Sequence, residues 1–185
     1  SIPRAMSLTY ATTTERTIQS KSYPEMRATV STNRNLIDFY NTYPSSMTDN
    51  DFMTRWAFYA NTPMEVKTKE KLYGDIKPKL EGLGTKEAVE ELLNFVQTGF
   101  VYEFDDKVWG CDRAFFAEET LFYPYCDCED RSILFSRLVR DLLGLKVVLV
   151  YYPGHLATAV RFDVDVNGDY LTVGDEKYVV CDPTY

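Results

Sequence analysis

Cys128 and His155, the only histidine in the chain, stand out first, because a thiol and an imidazole together can carry out nucleophilic acyl transfer. Cys128 lies in Asp127-Cys128-Glu129-Asp130, which reads as a helix start. Asp127 can cap the first turn, and Asp130 takes the third helical position of an acidic capping box. A sulfur at the first helical position meets unpaired backbone N–H groups, which predicts a lowered thiol pKa. His155 follows Pro153-Gly154 and is the candidate base, since an imidazole titrates near neutral pH and can return the proton to a leaving amine. Asp182 can accept a hydrogen bond from the second ring nitrogen and fix the tautomer. The oxyanion of a tetrahedral intermediate would be met by the Cys128 backbone N–H and by a second donor, the Trp109 indole or the Tyr125 hydroxyl.

The remaining cysteines read differently. Cys126 competes with Cys128 by proximity alone, and Cys128 is preferred because it directly precedes Glu129-Asp130 and the helix. Cys181 adjoins Asp182 on a strand and should point to the opposite face as a small buried hydrophobe. Four cysteines are too few for a disulfide framework, although one bridge involving Cys126 or Cys111 stays compatible with the sequence. Cys126-Asp127-Cys128 lacks zinc-ligand spacing. Asp163 to Asp169 imitates the front of a calcium-binding EF-hand loop, but Gly174 stands where a bidentate Glu is required, so the segment reads as a hairpin turn at Asn167-Gly168. No cofactor and no metal is expected.

The 185 residues fit one domain, 45% hydrophobic and 26% charged, which argues against wholesale disorder. A net charge of -8 with no basic stripe disfavours nucleic acid or an anionic membrane as the main partner. The longest apolar run, Val147 to Tyr152, is too short to span a bilayer. The chain opens at Ser1 without a charged-then-apolar signal segment, which reads as a processed protein or an excised, exported domain, with its compartment open. Asp182 stands three residues from the end, so residues completing a cleft are expected beyond Tyr185.

The elements that must position the site follow from periodicity. The first thirty residues, rich in Thr and Ser, read as extended or as a flexible arm, and Phe39, Tyr40, Tyr43, Trp56, Phe58 and Tyr59 as packing residues. Thr85 to Gly99 predicts a helix with Thr85 as N-cap and Gly99 as stop. A second helix begins at Asp127, buries Leu134, Phe135, Leu138, Val139, Leu142 and Leu143, and ends before Gly144. Strands are predicted at Lys146 to Tyr152, Leu156 to Asp163, Tyr170 to Val173 and Tyr178 to Asp182, with the Asn167-Gly168 hairpin bringing His155 and Asp182 together. An irregular N-terminal part, two helices and a run of antiparallel strands make an α+β pattern.

Cys128-Glu129-Asp130 opening a helix that ends in Arg140-Asp141-Leu142-Leu143-Gly144-Leu145, followed by His155 and then Asp182-Pro183-Thr184, resembles the transglutaminase-like superfamily. The nearer likeness is its bacterial branch of transglutaminase-like cysteine peptidases. The resemblance covers residues 85–185 and leaves 1–84 without an assigned role. It implies a papain-like core in which the nucleophile heads a helix packed on an antiparallel sheet, with Cys128 as nucleophile, His155 as base and Asp182 as orienting acid. The position two before the nucleophile is often Gly in this family and is Cys126 here. The implied activity is acyl transfer through a thioester, with a peptide or protein substrate. Water as acceptor makes a peptidase or amidase, and an amine makes a transglutaminase. The alternative from another class is a catalytically silent domain of the same shape that binds peptide or cell-surface glycan.

Overall fold

A computed structural model of the chain describes residues 9–42, 52–103 and 114–185. The Thr-rich start forms an antiparallel pair, β1 (Arg16–Gln19) with β2 (Arg27–Val30), whose Ile18, Ala28 and Val30 face inward. Next come α1 (Arg34–Asn41), α2 (Phe52–Asn61) and α3 (Val66–Leu80). The expected irregular N-terminal part is thereby corrected to a strand pair and helices. The helical period of α3 is visible in Thr68, Leu72 and Ile76, which recur every four residues and are all buried. The Lys and Glu residues between them mask that stripe from a reading based on apolar content alone.

α4 (Thr85–Gly99) buries Val89, Leu92, Phe95 and Val96, and its N-cap is Gly84 rather than Thr85. Gly99 is its last residue, where a Cβ would stand 2.6 Å from Ile18 Cγ2. The close crossing of β1 explains the glycine better than a stop signal does. β3 (Val101–Tyr102) then runs parallel to β4 (Tyr125–Cys126), with α5 (Ala117–Phe122) in the chain between them. Tyr43, Trp109 and Cys111 lie outside the described residues.

α6 (Cys128–Leu143) forms where its sequence predicts, capped by Asp127 and ended by Gly144 in the left-handed region at φ 67°, with Leu142 and Leu143 in its last turn only partly buried. It lies against β5 (Lys146–Tyr152) and β6 (His155–Arg161). With β7 (Tyr170–Val173) and β8 (Glu176–Cys181) these strands make an antiparallel sheet in the order β5-β6-β8-β7. The expected hairpin between the second and third strands is corrected here. β6 pairs with β8, so the segment holding Asn167-Gly168 crosses from β6 past β8 to the far edge. Tight two-residue turns sit elsewhere, at Pro153-Gly154 and Gly174-Asp175, with Gly154 at φ 76° and Gly174 at φ 60°.

The described residues thus form a mixed α+β structure. Its larger apolar cluster joins β1, β2, α3, α4, α6 and the sheet through Ile18, Leu72, Phe95, Leu134, Leu138 and Val160. A second cluster joins Leu36, Tyr40, Trp56, Tyr59, Phe116 and Leu156, and Cys128 belongs to it. Phe116 stacks on Tyr40 at 3.9 Å and on Tyr59 at 4.0 Å, so these aromatics pack, as expected. Among the described residues no helix is long and apolar enough to cross a membrane.

Candidate active site

Asp127 and Asp130 form a reciprocal capping box: the Asp127 side chain accepts from the Asp130 N–H at 3.4 Å, and Asp130 accepts from the Asp127 N–H at 3.0 Å. Asp130 is fully buried and its other oxygen accepts from the Phe115 N–H at 2.8 Å, which ties the helix start to the segment before α5. This lock holds Cys128 at the first helical position, 6% exposed.

The sulfur meets the sheet at the peptide joining His155 to Leu156. The Leu156 backbone N–H lies near enough to Sγ to lower the thiol's pKa. One helical turn further on, the Ser132 hydroxyl donates to the Leu156 carbonyl at 3.1 Å. Cys128 and Ser132 are four apart on one face of α6, so a single helix face grips both polar groups of one strand residue. His155 is the strand residue immediately before Leu156.

On the other side of the ring, His155 Nε2 lies 2.6 Å from Asp182 Oδ2. The register explains it. Thr158 faces Cys181 across the β6–β8 pair, so Asp182 continues opposite Ala157, on the face that also carries His155. Cys181 falls on the opposite face and is buried in the larger cluster, as expected. The Asp182 carboxylate is fixed in turn by the Thr184 N–H, which donates to Oδ1 at 2.9 Å, and the Asp182 carbonyl accepts from Gln97 Nε2 at 2.8 Å. Asp182 therefore starts a turn and orients the ring at once. The imidazole is flanked by the rings of Tyr152 at 6.5 Å and Tyr185 at 5.4 Å.

The electrostatics correct one expectation. Burial pushes the Cys128 thiol up to about 11, and the Glu129 carboxylate adds to the rise, while the Leu156 N–H and the Tyr102 hydroxyl oppose it. Glu129 Oε2 stands 3.7 Å from Sγ. Desolvation outweighs the helix start, so the sulfur rests as a neutral thiol. Tyr102 is itself raised, by burial first and then by the Cys128 and Asp127 charges.

Of the residues expected at the site, His155 and Asp182 meet directly, while Cys128 packs against Leu156, the residue after His155, and no hydrogen bond joins its sulfur to the His155 ring. Trp109 and Cys111 lie outside the described residues. Tyr125 is 41% exposed on β4, and the tyrosine that reaches the sulfur is Tyr102 instead. Tyr102 went unseen because nothing local marks it: it arrives through the β3–β4 pairing, opposite Cys126. Cys126 is a free thiol buried in the larger cluster, where Arg131 Nε donates to its sulfur at 3.4 Å. Burial raises it to about 11 as well, so position, and not acidity, separates the two thiols. The described cysteines Cys126, Cys128 and Cys181 are all free. No group of three or more His, Cys, Asp or Glu side chains among the described residues is arranged to hold a metal ion.

Compared with protein-family models, curated proteins and solved structures, the chain matches none.

Proposed function

We propose that the protein is a cysteine-nucleophile acyl-transfer enzyme with a papain-like, transglutaminase-like core that hydrolyses peptide or amide bonds. The observation that supports this reading is a His155–Asp182 pair one residue from the strand position that Cys128 packs against. Cys128 packs against Leu156, and the His155 ring is held by Asp182 at 2.6 Å. With Nε2 engaged by Asp182, the proton on that nitrogen leaves the Nδ1 lone pair to act as base.

His155 takes the thiol proton as Cys128 Sγ bonds to the carbonyl carbon, which suits a thiol that is neutral at rest. The oxyanion is met by the Cys128 backbone N–H, with the Tyr102 hydroxyl as the described side chain able to supply a second donor. The C–N bond breaks, the departing amine takes the proton from His155, and water resolves the thioester.

One observation favours a catalytically silent binding domain instead: the thiol is buried and its pKa is pushed up to about 11. Acylation separates the two readings. On incubation with an activated aryl ester, intact-mass and peptide mapping should find the acyl group on Cys128, with the rate reduced at least about 100-fold in His155→Ala. Equal rates in the wild type and His155→Ala would make the silent reading the better one.

A further inference from the structure

Glu129 is the second helical residue of α6 and is partly exposed. Its Oε2 lies 3.7 Å from the Cys128 sulfur, and among the described residues no Lys or Arg forms an ion pair with it. The other ionisable group acting on the sulfur is Tyr102 from β3, on which Asp127 at the helix cap acts in turn; the His155–Asp182 pair lies on the sheet beside Leu156. Arg131, the cation nearest in sequence, is turned inward, where its guanidinium donates to the carbonyls of Gln97 at 2.9 Å and Phe100 at 3.0 Å. Among the described residues, a partly exposed carboxylate with no ion-pair partner therefore stands beside the sulfur, in a protein of net charge -8.

The distances limit what can meet that carboxylate. A carbonyl carbon poised for attack stands about 3 to 3.5 Å from the sulfur. The α-nitrogen of the residue bearing that carbonyl is about 2.5 Å from the carbon. An ammonium there can reach Glu129 Oε2 at hydrogen-bond distance while its own carbonyl faces Sγ. A lysine ε-ammonium sits at the far end of a flexible four-carbon stem, and an interior peptide nitrogen carries no charge.

We propose that Glu129 anchors the free α-ammonium of the acyl donor, so that the site cleaves after the first residue of a peptide, as an aminopeptidase does. The proposal rests on the catalytic reading of Cys128 and His155 and specifies its substrate. In the first half-reaction the Cys128 sulfur bonds to the carbonyl carbon of residue one, and the thiol proton passes through His155 to the departing amine as the C–N bond breaks. In the second, water adds to the aminoacyl thioester, the C–S bond breaks, and one water proton returns through His155 to sulfur, releasing a free amino acid. The bound ammonium also offsets the Glu129 charge at the moment the sulfur must become anionic.

The test uses the full chain with two probes, the p-nitrophenyl esters of L-phenylalanine and of N-acetyl-L-phenylalanine, at about pH 5.5, where the α-amino group, made less basic by the ester than the usual value of about 7.7 to 8.0, is mostly protonated. Acylation of Cys128 is followed by mass spectrometry, and each rate is divided by that ester's rate with glutathione. The free-amine ester should be favoured at least about tenfold, the worth of one charge-assisted hydrogen bond, and Glu129→Gln should bring the ratio to about one. Equal normalised rates in the wild type, or a preference that persists in Glu129→Gln, overturns the proposal while leaving the catalytic reading intact. Acylation of Cys128 by neither ester above the His155→Ala level overturns both.

Discussion

The resting state of Cys128 makes a quantitative prediction. With the thiol at about 11, the thiolate fraction at pH 7 is on the order of 10⁻⁴, against about 3% for an ordinary cysteine near 8.5. That is roughly 300-fold fewer thiolates. A more basic thiolate is intrinsically more nucleophilic, and a Brønsted slope near 0.4 to 0.5 returns about 10- to 20-fold. Iodoacetamide should therefore label Cys128 about 20 to 30 times more slowly than free cysteine at pH 7, before any effect of its burial. Peptide mapping is needed, since Cys126 is raised to about 11 and Cys181 to about 12. The rate at Cys128 should climb about tenfold per pH unit and level off only near pH 11. Glu129→Gln removes a charge that raises the thiol and should move the curve to lower pH. Tyr102→Phe removes a hydroxyl that lowers it and should move the curve to higher pH. A plateau below pH 9, or labelling faster than free cysteine at pH 6, would mean that a thiolate–imidazolium pair already exists at rest, and would refute the neutral-thiol reasoning.

Three further predictions concern the scaffold. Glu118, 2% exposed, has its carboxyl pushed up to about 8 by burial, against the Glu65 N–H and Thr68 hydroxyl that donate to it. A carboxyl raised in the folded state contributes stability that is complete below its unfolded value near 4.5 and is lost as pH rises through about 8, on the order of 5 kcal/mol in full. Melting temperatures should fall from pH 5 to pH 9 and Glu118→Gln should flatten that slope; parallel curves would contradict the assignment. Asp127→Ala opens the capping box at the head of α6 and should cost about 1 kcal/mol, or roughly 2–4 °C in melting temperature. Arg131→Met leaves the half-buried Gln97 carbonyl and the buried Phe100 carbonyl without their donor, and urea unfolding should show a loss of roughly 2 to 5 kcal/mol. A loss under about 1 kcal/mol would mean that other donors replace the guanidinium.

The α6 segment was legible because its signals are local. A cap, a reciprocal acid, a stripe at spacings of three and four, and a glycine that accepts the left-handed region all act within a few residues. The N-terminal helices were less legible for a physical reason. α2 buries Trp56, Tyr59 and Ala60 through an aromatic cluster assembled from distant segments, and α3 hides its period among charged residues. The strand order was misread at Asn167-Gly168 because a turn-forming dipeptide specifies a change of direction and not a partner. Inserting β8 between β6 and β7 takes a pairing across the sheet.

The sequence by itself determined where the candidate thiol, imidazole and carboxylate stand in the chain, and that Cys128 heads a helix, since residue type and capping are properties of a few neighbouring positions. Tertiary structure alone decided the rest. The β6–β8 register sets Asp182 against His155, and the face of α6 bearing Cys128 and Ser132 grips Leu156. The β3–β4 pairing delivers Tyr102 to the sulfur. It also reversed the expected acidity of the thiol: a helix start favours the thiolate through local dipoles, whereas the desolvation that opposes it comes from everything packed around the sulfur, which no local pattern encodes.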